Sequence, residues 1–206
     1  MNNKIERTKF NINLLGDTTV GKTSIIKCYK DEEFSEEAIA TIGIDFIMDE
    51  KKFDGKAYTF KIYDTAGQER YKSISENYIK IADGFLLVFS VANKITFERL
   101  ATWMEEINES INPEEKVIYL VGNKVDLSPR EVSNEEAMNF AKENNMKYFE
   151  TSAKTGFGVK PLFEKLYQEI YDLNEKPDLK NKKEEKEKNI IIDKKDDVVK
   201  KKGCSC

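Results

Sequence analysis

The chain has 206 residues, 39% hydrophobic and 35% charged, which suits one domain of ordinary size with a sizeable core. It has no run of about 20 apolar residues and no apolar signal core in Met1–Arg7, so neither a membrane-spanning helix nor secretion is expected. The formal charge of −4 is uneven: 11 Lys face 8 acidic residues from Asn174 onward, and 23 basic residues face 30 acidic ones before it, so the acidic body speaks against general nucleic-acid binding. Histidine is absent, which removes Ser–His and Cys–His catalysis and His-ligated metals. Cys28, Cys204 and Cys206 give neither a disulfide framework nor zinc spacing. Cys28 reads as an inert, buried small hydrophobe.

Phe10–Leu15 alternates as a strand should. Gly16 to Thr23 then reads Gly-Asp-Thr-Thr-Val-Gly-Lys-Thr, the pattern G-x-x-x-x-G-K-[ST], and Thr23–Lys30 reads as a helix. A polar connection from Asp31 to Thr41 leads to a strand over Ile42–Phe53. Asp54-Gly55 is a hairpin signal. The partner strand Lys56–Tyr63 puts Tyr58, Phe60 and Ile62 on one face and Ala57, Thr59, Lys61 and Tyr63 on the other. Phe85–Phe89 and Val117–Val121 are unbroken apolar runs, as central parallel strands require. Between them Phe97, Leu100, Met104, Ile107 and Ile111 form one helical stripe. Ser133–Glu136 is a capping box opening a helix with Ala137, Phe140 and Ala141. Lys147–Thr151 is a short strand, and Leu162, Phe163, Leu166, Ile170 and Leu173 mark the last helix. Pro177 discourages its continuation, and Asn174–Lys202 reads as a flexible, charge-rich tail. Six strands alternating with helices predict an α/β doubly wound sheet, mostly parallel, with one antiparallel edge strand and helices on both faces.

The chemistry sits at strand ends. Gly16 and Gly21 let the loop wrap an anion with its backbone N–H groups, across Asp17, Thr18, Thr19 and Val20. Lys22 brings a charge to the β- and γ-phosphates, and the Thr23 hydroxyl is a Mg²⁺ ligand. Asp64, closing an apolar strand, suits a water-mediated Mg²⁺ ligand. Gly67 leaves its N–H free for the γ-phosphate, and Gln68 is able to orient a water. In Asn123-Lys124-Val125-Asp126 the Asp126 carboxylate accepts two hydrogen bonds from one base edge. Guanine offers that paired donor edge and adenine does not. Thr151-Ser152-Ala153-Lys154 offers the Ala153 N–H to the guanine carbonyl and the Lys154 stem to the ring face.

Together these motifs resemble the Ras superfamily of small GTPases over residues 8–173. The resemblance implies a P-loop small G domain that binds GTP or GDP with Mg²⁺. Ser24 then completes the loop set, Thr41 is the switch threonine meeting Mg²⁺ and the γ-phosphate in the GTP state, and Phe34 packs edge-on against guanine. Thr41–Phe46 and Glu69–Ile74 match Rab switch stretches. Phe46, Tyr63 and Tyr78 fall where Rabs carry an aromatic triad read by effectors, and Tyr63 is expected to be exposed. Gly203-Cys204-Ser205-Cys206 is similar to the Rab ending, which implies geranylgeranyl groups on Cys204 and Cys206 after a tail spanning 174–206. The resemblance further implies effectors, an exchange factor, an activating protein, a GDP-dissociation inhibitor and a prenylation escort. It places a monomer, with no nucleic-acid partner, on the cytoplasmic face of an endomembrane, with a chaperoned cytosolic pool, acting in vesicle traffic. The chain departs from the pattern at Thr18 and Thr19, beside the γ-phosphate, at Ala38, where many Rabs carry a Tyr, and at Tyr63, where they carry a Trp. Ile190–Ile192 is an apolar island in the tail. No arginine is evident near the γ-phosphate, so slow turnover is expected. The alternative is a nucleotide-locked scaffold with negligible hydrolysis.

Overall fold

A computed structural model describes residues 8–34, 44–65 and 72–176, with only the backbone of residues 44, 65 and 72–76. The elements in order are β1 (Lys9–Leu15), α1 (Lys22–Tyr29), β2 (Ile44–Phe53), β3 (Lys56–Thr65), α2 (Lys72–Ile81), β4 (Gly84–Ser90), α3 (Lys94–Glu98), α4 (Leu100–Ser110), a 3-10 turn (Pro113–Glu115), β5 (Val117–Asn123), α5 (Asn134–Glu143), β6 (Lys147–Glu150) and α6 (Val159–Glu175). The six strands form one sheet in the order β2-β3-β1-β4-β5-β6. Only β2 runs antiparallel, paired with β3 through the Asp54-Gly55 turn, where both residues have positive φ.

The apolar runs become the buried centre. All seven residues of β4 and all seven of β5 are buried, because helices cover both faces. Burying a side chain such as Phe85 or Leu87 stabilises the fold by about 1.5–3 kcal/mol. One side packs Phe85, Leu87 and Phe89 against Leu100, Met104 and Ile107 of α4 and Ala137 and Ala141 of α5. On α6, Leu162, Phe163, Leu166, Tyr167 and Ile170 are fully buried. Phe60 of β3 stacks tilted on Tyr167 at 4.3 Å.

Three elements differ from the sequence reading. The stripe from Phe97 to Ile111 spans two helices, broken at Arg99, with Ile111 beyond the end of α4. The Ser133 hydroxyl accepts from the Glu136 N–H, half of a capping box, while the Glu136 carboxylate pairs with Lys94. α6 continues two residues past Leu173, to Glu175, and ends before the residue preceding Pro177, where helical conformation is disfavoured.

The chain divides into two units at Ile170. The first carries the whole sheet. The described residues of the second, 171–176, are the end of α6, where the Lys176 ammonium lies 5.1 Å from the Tyr171 ring centre. No described helix is long and apolar enough to cross a membrane.

Candidate functional site

The strand-end motifs come together at the C-terminal edge of the parallel strands, where ligands of open α/β sheets bind. The loop between β1 and α1 depends on two glycines. Gly16 has φ of 137°, and a Cβ there would run into the Val88 carbonyl oxygen. Gly21 has φ of 98° and caps α1 with no side-chain acceptor, so the helix N-terminus keeps its N–H groups for an anion. Lys22 is buried, and its Nζ donates to the carbonyls of Gly16 at 2.7 Å and Asp17 at 2.8 Å. Burial pulls its pKa down to about 8, against the upward pull of Asp64 and Asp17. Thr19 sits at φ of 63°, a left-handed conformation that is costly for a β-branched residue.

Below the loop, the Thr23 hydroxyl donates to Asp64 Oδ2 at 2.6 Å. Asp64 is buried near the end of β3. These are hard oxygen donors, and Mg²⁺ takes one or two such protein ligands and fills the rest from phosphate and water. The donor set therefore fits Mg²⁺. Thr41, Gly67 and Gln68 lie outside the described residues, as do Ala38 and Ile190–Ile192. Ser24 follows Thr23, half-buried in the first turn of α1.

The loops after β5 and β6 are tied to the loop after β1 by one side chain. Asn123, 1% exposed at the end of β5, donates from Nδ2 to the Val20 carbonyl at 2.8 Å. Its Oδ1 accepts from Thr151 Oγ1 at 3.1 Å and from the Ala153 N–H at 3.3 Å. The Ala153 N–H, offered to a base carbonyl in the sequence reading, thus points at Asn123. The Ser152 hydroxyl donates to Asp126 Oδ1 at 2.5 Å and accepts the Thr155 N–H at 3.1 Å. This fixes the carboxylate and leaves it lone pairs for further donors. Lys124 adopts φ of 66°, and burial lowers its pKa while Asp126 raises it. Lys154 and Phe34 are exposed.

An arginine that sequence reasoning passed over reaches the phosphate loop. Arg99 Nη1 lies 2.8 Å from Asp17 Oδ2. The pair is 82 residues apart, and nothing local in the sequence announces it. Tyr63 corrects an expectation of exposure: it is only 6% exposed. Its ring is covered edge-on by Tyr78 at 4.8 Å, with Phe46 at 6.0 Å across the β2–β3 pair. Alternation assigned it the correct face, but α2 covers that end of the face. Phe46 is the exposed member of the three, and Tyr78 is half-buried. Cys28 is half-buried rather than buried, with its pKa raised by burial and by Asp31. Cys204 and Cys206 lie outside the described residues.

Comparison with known proteins gives one answer. The Ras family pattern matches residues 11–172. The chain is 38% identical over 163 residues to Ras-related protein Rab-18-B of Danio rerio, covering 79% of this chain and 80% of that protein. It is also 38% identical over 165 residues to Ras-related protein Rab-11C of Dictyostelium discoideum, covering 80% and 73%. Ras-related protein Rab-18 of Lymnaea stagnalis is 36% identical over 163 residues, covering 79% and 81%.

Proposed function

The chain belongs to the Ras family and, within it, to the Rab-type small GTPases, and on that premise we propose how its residues divide the work. It binds GTP and GDP and hydrolyses GTP to GDP, in the trafficking role general to Rabs. Family membership favours turnover over a nucleotide-locked scaffold.

We assign the guanine edge to Asp126, with Asn123, Lys124, Ser152, Ala153, Lys154 and Phe34 around the base. The phosphates fall to Gly16–Ser24. What carries this assignment is the Asn123 amide: one buried side chain joins the Val20 carbonyl of the phosphate loop to the loop that holds Ala153, two residues after Thr151. Base reader and phosphate cradle are thereby one unit. Mg²⁺, held by Thr23, Asp64 through water, and Thr41, would neutralise phosphate charge. Lys22 meets the β- and γ-phosphates, Gly67 lends its N–H, and Gln68 orients the attacking water. Ordering of Thr41 and Gly67 by the γ-phosphate supplies the difference between the two states.

Rabs work with regulators and effectors. For this chain we assign GTP-state effectors to the surface of Phe46, Tyr63 and Tyr78, with Phe46 presenting its ring and the other two supporting it. An activating protein, an exchange factor, a GDP-dissociation inhibitor and a prenylation escort complete the set. We place the switch domain at 8–173 and the tail at 174–206. Lipid on Cys204 and Cys206 would give the two anchors that stable membrane attachment needs. About 30 residues of tail would hold the domain roughly 30 Å from the cytoplasmic face of an endomembrane, and a chaperoned pool would stay in the cytosol.

Displacement of mant-GDP tests the core assignment. GTP is expected to compete and ATP not to, and Asp126→Asn should shift preference toward xanthine nucleotides. ATP competing as well as GTP would sink the guanine assignment.

A further inference from the structure

The loop assigned to the phosphates carries a carboxylate of its own. Asp17 directly follows Gly16, its side chain is only 14% exposed, and its carbonyl accepts from Lys22 Nζ at 2.8 Å. The Asp17 charge is felt at the Lys22 ammonium, where it opposes the effect of burial. Its field therefore reaches the place where Lys22 is to meet phosphate. Like charges in a poorly hydrated site repel over several ångströms, so a cradle for phosphate is weakened by such a group unless another charge offsets it.

Arg99 supplies the offset. Its Nη1 lies 2.8 Å from Asp17 Oδ2, while its own side chain is 60% exposed. The carboxylate is the member withdrawn from water, and the guanidinium is the member that stays in it. Both are carried by backbone fixed to β4. Arg99 stands at the break between α3 and α4, between buried Phe97 and buried Leu100. Phe97 meets Phe89 of β4 edge-on at 4.9 Å, and the Thr96 hydroxyl accepts the Ser90 N–H at 3.0 Å, so α3 is pinned to the end of that strand. Gly16, on the other side, lies so close to Val88 that a Cβ would stand 2.1 Å from its carbonyl oxygen. One strand thus sets the spacing of the pair.

We propose that Arg99 is a positioning residue for nucleotide phosphate that acts through Asp17, masking a carboxylate that would otherwise repel the phosphates; this rests on the assignment of Gly16–Ser24 to them. An exposed ion pair contributes little to folding. Here its effect falls on a third charge, the bound anion. A mask has a direction that a brace between loop and helix lacks. A brace fails whichever partner is removed, whereas a mask matters only while the carboxylate is there. Arg99 itself, exposed to water and salt, adds little direct attraction.

The test is the rate of mant-GDP release from the full chain, with Mg²⁺ and excess unlabelled GDP. Arg99→Gln keeps a hydrogen-bonding end and removes the charge. It should speed release about fivefold, and Arg99→Lys should stay within about twofold of wild type. Asp17→Asn should slow release about twofold, and in that background Arg99→Gln should change the rate by less than about twofold. The ratio of Arg99→Gln to wild type should narrow as KCl rises from about 0.05 to about 1 M, because the exposed guanidinium is screened. Faster release from Asp17→Asn, or the full effect of Arg99→Gln persisting in that background, would mean a brace and overturn the proposal. So would release from Arg99→Gln at the wild-type rate. Wild type that holds no mant-GDP would sink the phosphate assignment, and the proposal with it. Wild type that holds mant-GDP while the variants break the pattern would sink the proposal alone.

Discussion

Lys22 and Asn123 are both buried polar side chains beside the same loop, and they are in opposite electrostatic condition. Lys22 is a charge taken out of water, held by two backbone carbonyls and weakened enough that its pKa falls to about 8. Asn123 is neutral, and its amide is matched by a carbonyl, a hydroxyl and an N–H. The phosphate half also stores backbone strain at Thr19. On the proposed assignment, the base loops are organised by the chain itself, whereas Lys22 would gain its charge partner from the nucleotide's phosphates.

The largest expected effect breaks the satisfied half. Asn123→Ala strands the Val20 carbonyl, the Thr151 hydroxyl and the Ala153 N–H in a buried place. It should lower the stability of the GDP-bound protein by about 2–4 kcal/mol in urea denaturation, and an unchanged midpoint would refute the contrast. Next comes the pH dependence of the strained half. Lys22 has a pKa of about 8 folded and 10.5 unfolded. Between those values the unfolded chain binds more protons, so stability of the nucleotide-free protein should rise with pH from about 8 to about 10.5. The total gain is about 3 kcal/mol, absent in Lys22→Met. Saturating GDP should flatten the slope, because phosphate charge restores the ammonium. The smallest effect is at Thr19. Thr19→Gly should relieve the left-handed backbone and raise thermal stability by about 1 kcal/mol, a few degrees in Tm.

Much of this was legible before the structure. The short apolar runs in β4 and β5 are what a doubly covered strand requires, and the loop from Gly16 to Thr23 carries its own geometry in two glycines. The placement of the loops after β5 and β6 was legible because each motif closes a strand. What stayed hidden depends on partners far along the chain. Alternation places Tyr63 on a face but does not say that Tyr78 lies over it. The stripe from Phe97 to Ile111 keeps its period across Arg99, so the break between α3 and α4 leaves no mark on the apolar pattern. The Asp17–Arg99 and Asn11–Asp83 contacts join residues 82 and 72 positions apart, and no local pattern records either.

The Asn123 amide has a kinetic consequence. If, as proposed, one loop grips phosphate and the others the base, this side chain fastens them together, and neither end of a bound nucleotide would have an exit of its own. Residence time would then be set by the rarer event of both ends opening together. A regulator that pries at either loop would therefore release the whole molecule, and fragments of the nucleotide, a bare base or a bare diphosphate, should make poor competitors for the intact one.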